Sequence, residues 1–286
     1  MPSWSETKGL QDRYVTVQGV RTHYLTVGQG PAVILLHGVG SSVVAWRDNL
    51  LPLAEHFRLI AIDLPGHGDS EKPDMDYSLA TASRFMTGLL DTLGLERAHV
   101  IGESLGGMIA LRFALDHPER VGKLVTVGTA GLGRDLAWII RWVSVPVVGE
   151  IIVHPTASRV KFLLKRVMHR SGEHDAALAE EVYRTRVSPG AEQALIKMVR
   201  WGVSPLGLRR RALLLPELPR LKAPLLLVWG ANDSISPVRH GVHAQRLAPS
   251  VRLEVFPECG HWVQMERASE FNRVVAGFLH GEGAGF

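Results

Sequence analysis

Apolar runs of β type alternate with segments of helical period along most of the chain. RYVTVQG and VRTHYLTVGQG, joined at Gln18-Gly19, predict an antiparallel hairpin at a sheet edge. AVILLHG (32–38) is apolar without interruption, the pattern of a strand buried on both faces. A helix is expected at about 43–53, followed by a strand in FRLIAIDLPGHGDS that ends where Pro65, Gly66 and Gly68 break the chain. SLATASRFMTGLLDTLGL reads as a helix with Ser78 as N-cap and Gly94 near its end. Further strands are expected in AHVIG, KLVTVGTAG, APLLLVWGANDSISP and VRLEVFPECGHW, with a helix ending near Leu247 and a last one over VQMERASEFNRVVAGFLH. Such alternation predicts an α/β fold, a parallel sheet covered by helices.

Between residues 130 and 221 the alternation stops. The segment is helical in character and punctuated by Pro146, Pro155, Pro189 and Pro205. We read it as an insertion lying over the strand ends, where ligands bind in open parallel sheets. The expected division is a core of residues 1–129 and 222–286, with 130–221 inserted.

Composition narrows the classes. At 286 residues, with 46% hydrophobic and 21% charged positions, the chain suits a soluble enzyme with one large core. Its single cysteine, Cys259, excludes an intramolecular disulfide and is compatible with a reducing, cytoplasmic location. No basic stretch followed by an apolar run opens the chain, so no secretory signal is expected. WIIRWVSVPVVGEIIV (138–153) is too short and too interrupted for a membrane span. The net charge of +4 gathers partly in SRVKFLLKRVMHR and LRRRALLLPELPRLK, but no nucleic-acid module surrounds either. The expected partner is a small molecule rather than nucleic acid or membrane; a homodimer stays open as the assembly.

The chemistry gathers where strands end. Gly102-Glu103-Ser104-Leu105-Gly106 is a G-x-S-x-G sequence preceded by a strand pattern and followed by a helical one. In that context the serine sits on a sharp turn with its hydroxyl exposed, a nucleophile's position. A serine needs a general base oriented by a third group. His261 follows the last strand and Asp233 the strand before it, so both should emerge on the same side as Ser104. Asp135 is the rival acid, in a poorer context. The backbone N–H groups of Val39, in the glycine-rich loop after the early buried strand, and of Leu105 are the candidate oxyanion donors. His37 is expected to tie that loop by hydrogen bonds, His67 to be a loop residue, and Cys259 to be a small buried group. No H-E-x-x-H and no paired-histidine spacing occurs, so neither metal nor cofactor is called for.

Together LLHGVG, DLPGHGDS, GESLGG, WGANDSISP and CGHWVQMERASEFN resemble the α/β-hydrolase superfamily over nearly the whole chain outside the insertion. The resemblance implies a mostly parallel eight-stranded sheet flanked by helices, with residues 130–221 as a helical cap. Within the superfamily the chain is similar to carboxylesterases and to carbon–carbon bond hydrolases that act on ring-fission products; His261-Trp262 and VQMERASEFN point to the latter. It departs from them at Val39-Gly40-Ser41-Ser42, where many carry a longer glycine-proline run, and at Glu103, where Asn is frequent. The aspartate nucleophile of related epoxide hydrolases and dehalogenases is absent, since Ser104 stands in its place.

The main expectation is therefore a serine hydrolase of carboxylic esters working through an acyl-enzyme on Ser104. The alternative keeps the same residues and cleaves a carbon–carbon bond in a vinylogous diketone acid, with Arg184 or Arg186 facing the substrate carboxylate and Trp262 near it. A receptor that retains the triad with little turnover is the third reading.

Overall fold

In the computed structural model, which describes residues 9–169 and 176–281, the apolar runs become one eight-stranded sheet. Its strands are β1 (Gln11–Val17), β2 (Val20–Val27), β3 (Ala32–Leu36), β4 (Arg58–Ile62), β5 (Ala98–Glu103), β6 (Val121–Val127), β9 (Leu225–Gly230) and β10 (Arg252–Phe256). A small separate hairpin contributes β7 (Val203–Ser204) and β8 (Gly207–Leu208). The order across the sheet is β1-β2-β4-β3-β5-β6-β9-β10, with β2 antiparallel to both neighbours and every other pairing parallel. The edge hairpin turns at Gln18 (φ 49°) and Gly19 (φ 84°), two left-handed residues as a tight two-residue turn requires.

The central strands are apolar on both faces because both are covered. Ile34, Leu36, Ile60, Ile62, Val100 and Trp229 pack on one side with α2 (Leu79–Thr92) and α3 (Leu105–Asp116). Val33, Leu35, Leu59, Ile101 and Val228 face the other, against Trp46 and Phe271. The α2 helix starts at Ser78, whose hydroxyl accepts from Thr81 N–H at 3.2 Å. It closes on Gly94 (φ 66°), with Leu95 N–H on Leu90 C=O at 2.8 Å and Gly94 N–H on Asp91 C=O at 3.1 Å. Those two bonds form a Schellman cap.

Two expected helices are divided. The segment at 43–53 is a 3₁₀ turn (Val43–Trp46) and then α1 (Leu50–Ala54). Pro52 in a continuous helix would remove a bond and crowd a carbonyl; in the first turn of α1 its missing N–H costs nothing. The break leaves the Asn49 amide free to donate to Gln264 C=O (2.9 Å) and Asn272 Oδ1 (2.8 Å). The last helix is interrupted at Arg267 (φ −131°).

Between β6 and β9 lie α4 (Trp138–Val143), α5 (Val148–Val153), α6 (Ala157–Val167), α7 (Ala176–Arg186) and α8 (Ala191–Gly202). After β9 come α9 (Arg239–Leu247), α10 (Val263–Glu266) and α11 (Ala268–His280). The inserted helices share a cluster with residues of the sheet's loops: Val160, Leu164 and Val182 pack with Val44, Ile235 and Trp262. They thus sit over the carboxyl ends of the strands. Among the described residues no helix is long and apolar enough to cross a membrane. Residues 1–8, part of the segment read for a secretory signal, lie outside the described ones.

The cap on α2 gives a direct check. Ser78→Ala should lower stability by about 1 kcal/mol, read as a lower urea midpoint with unchanged slope.

Candidate active site

One residue separates β5 from α3. Ser104 has φ 52° and ψ −109°, a conformation that costs a non-glycine residue roughly 1–3 kcal/mol. Its surroundings hold it there. Ser104 N–H donates to Val127 C=O at 2.8 Å, while its own C=O accepts from Met108 N–H (3.1 Å) and Ala130 N–H (3.2 Å). A Cβ at Gly106 would strike the Leu36 and His37 carbonyls, and one at Gly102 would lie 2.6 Å from Gly107 N. The glycines let strand and helix meet at this angle.

His261 and Asp233 come together from consecutive strand ends. The imidazole Nδ1 lies 2.7 Å from Asp233 Oδ2, and both side chains are buried. The other oxygen of Asp233 accepts from Ile235 N–H (2.8 Å) and Ser236 N–H (2.9 Å), so its own turn orients the carboxylate. At the end of β6, Gly128 (φ 50°) leaves the pair its space: a Cβ there would lie 2.7 Å from Nδ1 and 3.0 Å from Oδ2. The loop bearing His261 is pinned on both sides. His261 N–H donates to Val167 C=O at 2.6 Å, and the Glu266 carboxylate accepts from Gly260 N–H and His169 N–H, each at 2.8 Å. The acid's loop is tied to the same helix end, through Ser234 Oγ donating to Arg166 C=O at 2.7 Å.

The far nitrogen of the imidazole meets a carboxylate. His261 Nε2 lies 3.2 Å from Glu103 Oε1, and among the described residues no hydrogen bond joins it to Ser104 Oγ. Burial alone would depress the imidazole pKa. The charge and hydrogen bond of Asp233, and then the contact with Glu103, outweigh that and lift it to about 10. Ser104, Glu103 and His261 all line one cavity of about 330 Å³, whose roof is made by the inserted helices. A serine beside a buried imidazole–carboxylate pair can attack a carbonyl once the imidazole is neutral.

Val39 lines the same cavity, beside Gly40 (φ 72°). Neither Val39 N–H nor Leu105 N–H donates to another backbone group among the described residues, and Leu105 opens α3, where helix N–H groups are unpaired. His37 fixes the loop as expected. Its Nδ1 donates to Gly38 C=O at 2.7 Å and its Nε2 accepts from Leu64 N–H at 3.1 Å, a neutral tautomer consistent with the downward push of burial on its pKa. His67 stacks edge-on to His37 and is pushed down to about 3, chiefly by burial.

The structure separates the two candidate arginines. Arg186 reaches the cavity wall; its one hydrogen bond among the described residues is a 3.4 Å contact to Val153 C=O, and it forms no ion pair there. Loss of solvent pushes its pKa down, against the opposing charge of Glu192. Arg184 stays outside, forked onto Asp69 at 2.7 and 2.8 Å and onto Glu181. Trp262 is buried and lines the cavity. Asp135 pairs with Arg239 at 2.9 Å, away from the imidazole of His261. Burial raises the Cys259 thiol to about 12, so it is no nucleophile near neutrality.

Sequence reasoning passed over two residues and read a third only as a charge able to tune the field beside Ser104. Asp63 is the first: buried in DLPGHGDS, it accepts from His23 Nδ1 and Val43 N–H (each 2.7 Å) and Asp69 N–H (2.8 Å). This knot of His23, Asp63 and Asp69 has metal-like spacing but spends its polar atoms on itself and on Arg184. Gly128 is the second, flagged only by its place at a strand end. The third is Glu103, visible as a charge beside the nucleophile but not as a partner of His261.

Residues 31–268 match the family described as the alpha/beta hydrolase fold. A 2-hydroxy-6-oxo-6-phenylhexa-2,4-dienoate hydrolase of Burkholderia cepacia is 32% identical over 294 residues, 96% of this chain and 98% of that protein. A 2-hydroxy-6-oxononadienedioate/2-hydroxy-6-oxononatrienedioate hydrolase of Comamonas testosteroni is 31% identical, covering 91% of each chain. The solved structure of a meta-cleavage product hydrolase from Pseudomonas fluorescens IP01 aligns with a TM-score of 0.81 and 28% identity, over 95% of this chain and 98% of that one.

The space kept by Gly128 predicts that Gly128→Ala displaces His261 from Asp233. The far-downfield proton resonance of the short Nδ1–H bond should weaken or move upfield, while the circular dichroism of the fold is retained.

Proposed function

This chain belongs to the α/β-hydrolase family, and on that basis we propose that it hydrolyses a carbon–carbon bond in a ring-fission product of the 2-hydroxy-6-oxo-dienoate class. Ester hydrolysis, the first expectation from the sequence, would use the same machinery. Both curated relatives described above carry names of the ring-fission class, which favours the alternative.

One observation carries the choice. The Arg186 guanidinium lies in the wall of the Ser104 cavity without a carboxylate partner among the described residues. A partly buried cation that forms no ion pair among the described residues favours an anionic ligand. A simple ester offers no anion; a dienoate does. In this reading Arg186 holds the substrate carboxylate, Trp262 packs on the carbon chain, and Arg184 contributes through its ion pairs outside the cavity.

The proposed chemistry then has two stages. The enol proton first moves to the carbon next to the distant ketone, so that the departing fragment is an enolate rather than a bare carbanion. Ser104 Oγ next adds to that ketone carbon as His261 takes its proton, with Asp233 holding the tautomer. Val39 and Leu105 N–H groups face the developing oxyanion. Collapse breaks the carbon–carbon bond, the departing enolate takes the proton from His261 on its oxygen, and water releases the acid from Ser104. Residues 130–221 serve as the cap that closes over the substrate, with 1–129 and 222–286 as the core.

Ser104→Ala should abolish turnover with the fold intact. Comparing kcat/KM for a 2-hydroxy-6-oxo-dienoate against p-nitrophenyl butyrate decides between the two bonds; preference for the ester would refute the proposal. Arg186→Leu should cut kcat/KM for the dienoate about 10- to 100-fold, the loss of one charged hydrogen-bonded contact, and leave ester turnover largely unchanged.

A further inference from the structure

We propose that Glu103 is a second carboxylate partner of the His261 imidazole, competing with Ser104 for Nε2 and setting the pH at which the nucleophile is armed. The inference rests on the assignment of Ser104 and His261 made above, though not on the identity of the substrate.

Glu103 is the last residue of β5, 1% exposed, and its register opposite Val127 turns it into the end of the sheet. One carboxylate oxygen contacts His261 Nε2; the other, Oε2, is buried without a hydrogen bond. Gly38 in the loop after β3 makes the room, since a Cβ there would collide with the carboxylate. Burying a carboxylate without charge compensation is costly, and little around Glu103 can supply it. His37 faces it from the loop just after β3 but is held neutral by its two backbone bonds. Arg186 lines the same cavity from α7 and makes no ion pair with it among the described residues. Asp233, on the loop after β9, adds negative charge at Nδ1. The imidazolium of His261 is the remaining counter-charge, clasped between two carboxylates.

Two effects of opposite sign follow. Before Ser104 can be deprotonated, Nε2 must lose its proton to water and swing from Glu103 to the serine hydroxyl. Glu103 therefore reduces the fraction of armed enzyme at neutral pH. Once Nε2 is free, the same carboxylate stabilises the imidazolium that forms as Oγ gives up its proton, so the armed base is stronger. Removing the charge must weaken the base and arm it earlier.

The test measures phosphonylation of Ser104 by a fluorophosphonate probe, which needs no knowledge of the natural substrate, across acidic to strongly alkaline pH. In Glu103→Gln the midpoint of the rising limb should fall by about one to three pH units, the range for a charge at contact distance. The two profiles should cross, the variant reacting faster near neutrality and slower on its alkaline plateau. Parallel profiles, or a uniformly slower variant with an unmoved midpoint, would overturn the proposal. The wild-type protein supplies an independent reading: the His261 imidazole, followed by NMR, should titrate far above 6.5, and a midpoint near that value also overturns it. Absence of labelling in both proteins would instead fail the assignment of Ser104 itself, whereas loss of dienoate turnover alone touches neither.

Discussion

A single buried hydrogen bond, from His261 Nδ1 to Asp233 Oδ2, fixes much of what the rest of the molecule must do. Either group is costly to bury with its charge unanswered, and the contact offsets that cost for both. Meeting requires β9 and β10 to be parallel neighbours, so that their carboxyl ends release both loops on one side. It requires β6, on the other flank of β9, to end in a residue without a side chain. The strand order of the whole centre serves this contact.

The elements that hold the pair were legible because their signals are local. Gln18-Gly19 announces a hairpin turn, Ser78 and Gly94 a capped helix, and unbroken apolar runs the doubly covered strands. Ser104 was legible for the same reason: its glycines lie within two positions of it. Side chains that act across the fold were not. Nothing near Asn49 in the chain reveals that it will bond Gln264 and Asn272, which lie more than 200 residues on. Arg184 and Arg186 look equivalent in sequence, yet two residues of α7 turn one toward Asp69 and the other into the cavity.

The distinction between ester and carbon–carbon cleavage belongs to the second kind. The proposed nucleophile, base and oxyanion loop follow from motifs shared by many reactions, and they say little about the bond that breaks. In the proposed function, selectivity would reside in the inserted helices, where the Arg186 guanidinium and apolar side chains line the same cavity as Ser104. The names of the similar hydrolases and the placement of Arg186 both support the ring-fission reading that the sequence offered as its alternative.

The peptide N–H of His261 is bonded to the carbonyl of Val167, the last residue of α6, and Ser234 is bonded to the residue before it. The end of α6 is therefore tied to the very loops that carry His261 and Asp233. Any ligand that lifts or tilts α6 pulls directly on the backbone that aims the imidazole. In the proposed mechanism, fit of the substrate and alignment of the imidazole would thus be one mechanical variable, and a poorly shaped guest would misdirect the very group assigned to cleave it.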